Sequence, residues 1–328
     1  MPAADPRRLP ETAAVLEIRR AVRRWLGAFA PSGAVAVALS GGADSLALTA
    51  AAVVEAVSVD ALIIDHQLQS GSARVAAEAA ATAHRLGCRS ARVLTVRVGA
   101  EGGLEAAARH ARYAGLDAAR AGLPVLLGHT LDDQAETVLL GLARGSGGRS
   151  IQGMAPYAAP WGRPLLGVRR AVTRRFCADT ELAPHEDPHN SAPEFTRVRL
   201  RHEVLPLLED VLGGGVGPAL ARTAEQLRED GAALDELADG LLRAARRDSA
   251  ETLAVEILAT APAALRRRAI RLWLLAGGAK AVTDKHLRAV DALVTDWRGQ
   301  GGVALGGGSP GIRLVAEREH GRLTMRRR

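Results

Sequence analysis

Hydrophobic positions in the first half of the chain fall into two alternating textures. Continuous apolar runs at 34–39, 59–65, 91–98 and 124–128 read as buried strands. Between them, 45–57, 73–86 and 104–121 carry apolar residues at helical spacing with few breakers, and a further helix over 12–29 precedes the first strand. Strands that alternate with amphipathic helices predict an α/β fold, a doubly wound parallel sheet covered by helices.

The texture changes at 145–164, where glycine, proline and isolated aromatics predict an ordered functional loop. The glycine run at 212–217 reads as a linker. Beyond it, one long helix over 218–246 and two more over 262–275 and 283–297 are expected, and the glycine-punctuated tail alternates like short strands. The chain thus divides into a catalytic domain, 1–212, and a smaller, mainly helical domain, 213–328, that ends in strands.

Composition narrows the classes. No apolar run approaches the ~20 residues of a membrane span, and the opening residues lack the apolar core of a signal peptide, so a cytoplasmic protein with no membrane partner is expected. Cys88 and Cys177 are the 2 cysteines, too few for a disulfide framework or a multi-cysteine metal site. A formal charge of +7 suits a nucleic-acid partner. Lysine occurs only at Lys280 and Lys285 against abundant arginine, alanine and glycine, which GC-rich coding produces as well. Bulk charge therefore leaves the partner open.

The first strand runs into Ser40-Gly41-Gly42-Ala43-Asp44-Ser45 and then directly into a helix. Glycines let the backbone turn its N–H groups toward an anion, and the helix start adds its dipole. Ser40 and Ser45 can donate hydroxyl hydrogen bonds, while Asp44 can hold a magnesium ion that bridges phosphates. No Gly-Lys-Ser or Gly-Lys-Thr is present, which separates this loop from that of the common nucleoside triphosphatases. It resembles instead the Ser-Gly-Gly-x-Asp-Ser loop of ATP pyrophosphatases, which cleave between the α and β phosphates. A glycine turn with an ordinary helix cap is the plainer alternative.

A second constellation, Gly128-His129-Thr130-Leu131-Asp132-Asp133-Gln134-Ala135-Glu136, follows the fourth strand. Asp133 and Glu136 share a helix face at the carboxyl end of the sheet, where doubly wound folds bind ligands. Such a pair suits an ammonium group or a metal, or serves merely to complement the helix dipole.

Further motifs follow in order: Asp65-His66, Glu105 with Arg109, Arg112 and Tyr113, Arg144 to Gly147, Arg163-Pro164-Leu165-Leu166, Glu186 to Asn190, and Arg197 with Arg201 and His202. Together, over 34–208, they resemble the tRNA(Ile)-lysidine synthase family. The resemblance implies an adenine nucleotide α-hydrolase-like fold. It also implies a two-step reaction on the first anticodon cytidine of an isoleucine tRNA with a CAU anticodon. ATP adenylates the base at carbon 2, and free L-lysine then displaces AMP. One departure is Val198, where the family has asparagine.

On this resemblance Ser40, Gly41, Gly42, Ala43, Asp44, Ser45, Ile64 and Gly128 hold ATP, with magnesium on Asp44. Arg109 and Arg112 take phosphate or the activated base, and His129 contacts the adenylate or moves a proton. Asp133 and Glu136 read lysine, and Arg201, with Arg197, stabilises phosphate charge. The run Arg169, Arg170, Arg174 and Arg175 reads first as a solvated face. Trp273 and Trp297 are expected in the core and Trp161 near bases. A homodimer is left open. The alternatives are a tRNA thiolation enzyme with the same loop, which the lack of Cys-x-x-Cys disfavours, a non-catalytic RNA-binding protein, which the intact Asp44 disfavours, and a synthetase acting on a small acid or amide, which activity without RNA would distinguish.

Overall fold

The computed structural model describes residues 9–67, 71–99, 103–145, 147–187, 194–246, 251–307 and 313–328. They form two compact units, one of 1–145 with 150–225 and one of 146–149 with 226–328.

The first unit is built on a six-stranded sheet of order β3-β2-β1-β4-β6-β5. Its strands are β1 (Ala34–Ala38), β2 (Ser58–Asp65), β3 (Ser90–Thr95), β4 (Val125–Leu126), β5 (Tyr157–Ala158) and β6 (Trp161–Gly162). All neighbours are parallel except the β5–β6 pair, as the alternating pattern predicts. In register, Val35 faces Val59 and Val37 faces Leu126.

Alternation along β1 divides its side chains between two cores. Val35 and Val37 pack with α1 (Ala13–Phe29), α2 (Ala43–Glu55) and α6 (Arg170–Asp179), whereas Ala36 joins Leu62, Val125 and Leu116 of α4 (Leu104–Ala119). The helix α3 (Ser72–Leu86) packs on β2 and β3. Because β1 has β2 on one side and β4 on the other, the chain reverses its winding there. The loops after β1 and β4 therefore open beside each other at the carboxyl edge, the usual ligand crevice of this architecture.

The strands β5 and β6 lie inside the stretch expected to be a loop. Two residues each are too few to leave a periodic signal, and their glycine and proline neighbours mask them. The helix α5 (Leu131–Ala143) follows β4. Further on, α7 (Thr196–Arg199), a π-helical turn Leu200–Val204 and α8 (Leu205–Val211) follow one another directly.

The glycine run expected as a linker is an ordered turn. Gly213, Gly214 and Gly215 all have positive φ, between 77° and 89°, which only glycine adopts readily in succession. The turn returns the chain so that Glu209 accepts hydrogen bonds from the N–H groups of Val216 and Gly217 at 3.1 and 3.0 Å. This carboxylate caps α9 (Val216–Ala245), and the boundary between the two units falls within that helix.

The second unit combines helices with a four-stranded antiparallel sheet of order β7-β10-β9-β8. The strands are β7 (Thr252–Ala254), β8 (Val303–Leu305), β9 (Leu314–Glu319) and β10 (Arg322–Arg327), and the helices α10 (Val255–Ala259), α11 (Ala263–Ala276) and α12 (Asp284–Thr295) pack with them. Trp273, Ile270, Leu293 and Leu323 are core residues. Trp297 is not, contrary to expectation: it is 38% exposed, with the Arg318 guanidinium 5.5 Å from its ring centre. Among the described residues no single helix is long and apolar enough to cross a membrane.

Close packing of β6 on α1 gives a test. A Cβ on Gly162 would lie 2.3 Å from the Trp25 ring, and Trp25 is pinned by its indole N–H, which donates to the Pro156 carbonyl at 2.9 Å. We expect Gly162→Ala to destabilise the protein by about 1–3 kcal/mol, read as a lower urea midpoint at unchanged m-value.

Candidate active site

The loop after β1 has the geometry of an anion cradle. Gly41 has φ of 86°, and Gly42 is the N-cap of α2 with no side-chain cap, so the first-turn N–H groups of that helix keep no protein acceptor from a cap. Ser45 shapes the turn internally: its hydroxyl donates to the Gly42 carbonyl at 2.9 Å and accepts from the Ser40 N–H at 3.2 Å. The Ser40 hydroxyl lies 3.1 Å from it. Ala43 offers its carbonyl to the Cys177 thiol at 3.5 Å, and the His185 N–H donates to the Gly41 carbonyl at 2.9 Å.

Gly128, at the end of β4, closes against this loop. A Cβ there would stand 3.1 Å from the Ser45 nitrogen and from the Asp44 carbonyl carbon, so a side chain would push the two ligand loops apart. Ile64 lines the end of β2, half-buried against the α4 side of the sheet.

Acidic residues on two segments, α5 and the start of α2, meet one guanidinium. Arg170 Nη2 lies 2.6 Å from Asp133 Oδ1, Nη1 lies 3.5 Å from Glu136 Oε1 and Nε lies 3.6 Å from Asp44 Oδ2, while the Arg170 backbone N–H donates to Asp132 at 2.7 Å. Arg170 therefore does not belong to a solvated basic face. It occupies the buried stripe of α6 with Thr173, Phe176 and Cys177, a helical spacing that was readable but was outweighed by the surrounding arginines.

Glu136 has no exposed surface, and its oxygens are held by Arg201 at 2.9 Å, Arg170 at 3.5 Å and Arg197 at 3.8 Å. Arg197 and Arg201 reach it from the segment where the π-helical turn widens the coil: the Leu205 N–H bonds the Leu200 carbonyl. Such turns re-aim side chains at functional sites. Val198, the departure from the family pattern, is buried.

Electrostatics separate the carboxylates. Burial pushes Asp133 upward, but Arg170 first, then hydrogen bonds from Thr130 and the field of His129, hold it below the usual carboxylate range. Its Oδ2 accepts from the Thr130 N–H and hydroxyl, each at 2.8 Å, completing a capping box on α5. Asp44 differs. Burial raises it, the nearby Asp133 charge adds to the rise, and hydrogen bonding from Thr173 with the charges of Arg170 and Arg201 offsets the effect incompletely. An under-compensated carboxylate beside an anion cradle fits magnesium, which takes one or two carboxylates and draws its remaining ligands from phosphates and water. Among the described residues no group of three or more acidic, histidine or cysteine side chains could hold a metal alone.

Across His129 the charge reverses. Arg109 donates to the Tyr113 hydroxyl at 3.4 Å, and Arg112 and Arg163 interact with the same hydroxyl. Burial pushes the His129 imidazole down to about 4, with Asp133 opposing and Arg163, Arg112 and Arg109 adding to the fall. His129 is therefore neutral near pH 7. Of the expected residues, the loop at 40–45, Gly128, Asp133, Glu136, Arg197 and Arg201 converge with Asp44, while Arg109, Arg112 and His129 form the adjoining cationic part. The Glu105 side chain, Ser146 and residues 188–190 lie outside the described residues. Arg170, Thr173, Arg163 and Tyr113 are additions that the structure makes to this set.

The PP-loop domain family matches residues 14–208, and the TilS substrate binding domain family matches residues 253–324. Fold and site thus define a PP-loop protein. The chain is 75% identical over 312 residues to tRNA(Ile)-lysidine synthase of Nocardia farcinica, covering 94% of this chain and 98% of that one. To the protein of that name from Rhodococcus erythropolis it is 69% identical over 317 residues, covering 97% of each. To that of Mycobacterium tuberculosis it is 60% identical over 293 residues, covering 89% and 90%. The chain belongs to the tRNA(Ile)-lysidine synthase family. Among solved structures, the U34-tRNA thiolase NcsA from Methanococcus maripaludis superposes with a TM-score of 0.54 at 18% identity, over 67% of this chain and 81% of that one, which shows a shared fold alone.

Two outcomes follow from the electrostatics. Replacing Arg170 by methionine strands the fully buried Glu136 with fewer counterions, and should destabilise the protein by about 3–5 kcal/mol in urea unfolding. Adding Glu136→Gln to that variant should recover part of the loss. For His129, the unfolded imidazole binds a proton below about 6.5, whereas the folded one resists it down to about 4. The unfolded state therefore holds more protons in that window, and stability rises with pH across it and is flat above. His129→Gln should flatten this rise by on the order of 1–3 kcal/mol when unfolding is compared at both ends of the window.

Proposed function

We propose that this chain ligates lysine to carbon 2 of the first anticodon cytidine of an isoleucine tRNA with a CAU anticodon. The observation that carries the reading is the uncapped phosphate loop with Asp44 at the sheet's switch point, beside an acidic network, in a member of this family. ATP binds with its phosphates on residues 40–45. The cytidine O2 attacks the α phosphorus and pyrophosphate leaves. The lysine side-chain amine then attacks carbon 2, and AMP departs with that oxygen while the amine proton passes to solvent.

Magnesium, when bound at Asp44, supplies charge neutralisation for the departing pyrophosphate. Arg109 and Arg112 hold phosphate or the activated base, and neutral His129 accepts a hydrogen bond or a proton beside them. Asp133 and Glu136 receive an ammonium group of lysine by exchanging part of their guanidinium contacts for it. The tRNA engages residues 213–328 as well, supported by the substrate binding domain matched there. Lysine is a co-substrate and the protein acts in the cytoplasm.

The rival thiolation chemistry is not supported. Burial raises the Cys88 thiol to about 12 and the Cys177 thiol to about 11, so neither is a ready nucleophile.

Incubation with ATP, labelled lysine and unmodified isoleucine tRNA should transfer label covalently to the RNA; its absence overturns the reading. Asp44→Asn should abolish pyrophosphate release with the fold intact by circular dichroism. Asp133→Asn should retain pyrophosphate release but raise the lysine requirement about ten- to a hundredfold, the effect of losing one charge-assisted hydrogen bond. Loss of both steps together in that variant would instead tie Asp133 to the metal.

A further inference from the structure

The cationic part of the site contains more donors than the protein can satisfy. Arg109 and Arg112 come from α4, with guanidinium carbons 4.9 and 5.4 Å from the Tyr113 ring centre, and Arg163 follows directly after β6. All three turn toward one phenol oxygen, which has two lone pairs to offer. The Tyr113 ring is itself fixed edge-on by Trp161, at 4.6 Å and 83°.

Arg163 is 8% exposed, and its Nε, like those of Arg112 and the Nδ1 atoms of His66 and His129, is buried without a hydrogen-bond partner. Arg163 otherwise donates to the Ala155 carbonyl at 3.1 Å. Among the described residues no carboxylate forms an ion pair with Arg109, Arg112 or Arg163, although every arginine of the neighbouring acidic network has one. Arg163 is buried and Arg112 half-buried, each with an idle Nε and no counterion, while Arg109 stands exposed beside them; a folded protein keeps such an arrangement for an anion supplied from outside. The phosphate loop is a different place, built from backbone N–H groups after β1.

We propose that Arg109, Arg112 and Arg163 form a second oxyanion site that takes a carboxylate or phosphate group of a substrate, with Tyr113 as the positioning residue that fans the guanidinium groups while the site is empty. Planar guanidinium forks match either oxyanion. The proposal rests on the functional reading above for the source of the anion: the α-carboxylate of lysine, or a phosphate of ATP or tRNA. The His129 imidazole feels the charges of both Asp133 and these arginines, so an amino-acid head with adjoining cationic and anionic groups would find both signs of charge there.

The test uses the full chain and the variants Arg163→Gln, Arg163→Lys and Tyr113→Phe. Equilibrium dialysis measures binding of labelled lysine, of cadaverine, which lacks the carboxylate, and of ATP, and needs no turnover. Steady-state assays follow pyrophosphate release and amine transfer. For a carboxylate, Arg163→Gln weakens lysine binding about ten- to a hundredfold relative to cadaverine, and Arg163→Lys restores part of it. For a phosphate, the affinity for ATP, or the KM for tRNA, worsens at least tenfold and the lysine-to-cadaverine ratio stays put. Tyr113→Phe, which keeps the ring on Trp161, raises the same KM with kcat held.

Wild-type affinity for every ligand in Arg163→Gln overturns the proposal, as does a loss that follows the melting temperature equally across all ligands. Failure of the wild-type protein to modify tRNA while Arg163→Gln still loses lysine or ATP binding would overturn the functional reading and leave the oxyanion site standing.

Discussion

A carboxylate with no exposed surface dictates much of the first unit. Glu136 on α5 lies inside the protein, where guanidinium groups offset its burial, and they arrive from α6 and from the π-containing helix. The ion pairs thereby tie together segments far apart in sequence. Each pair is worth little as a contribution to net stability, because desolvation offsets attraction. What the network supplies is placement, since Arg170 can satisfy Asp133, Glu136 and Asp44 together only with α6 seated against the phosphate loop.

The same network divides labour among like groups. Asp133 is tied down by Arg170 and Thr130 and stays ionised, whereas Asp44 remains under-compensated and so has capacity for a further cation. Burial, the Thr130 hydrogen bonds and a guanidinium nearer to Asp133 than to Asp44 together give the two carboxylates different chemistry. Beyond His129 the surplus is reversed, with arginines facing a phenol in place of acids, so the crevice carries adjacent regions of opposite sign.

Legibility in the sequence followed the range of the interactions. The parallel order of the sheet and the phosphate loop could be read because each is encoded locally, in strand-turn-helix periodicity and in glycines at fixed offsets. Asp133 and Glu136 could be placed on one helix face by their spacing. Their saturation by arginines could not, because those partners lie far along the chain, Arg201 being 65 residues from Glu136 and farther still from Asp133. Arg170 was hidden by a basic run that resembles a solvated face, and β5 and β6 by their brevity. The turn within 212–217 read as a linker because the sequence does not display the hydrogen bonds through which Glu209 organises it.

The π-helical turn at Leu200–Val204 has a consequence for the lineage of such chains. An α-helix advances by about 100° per residue, so deleting Leu200, which lies between the two arginines, would turn Arg197 against Arg201 by that angle. Arg197 and Arg201 could then no longer both address Glu136. Point substitutions on the exposed side of this helix leave that geometry alone, whereas a single-codon deletion destroys it. The exposed positions of this segment should drift freely in composition through evolution while its length stays frozen.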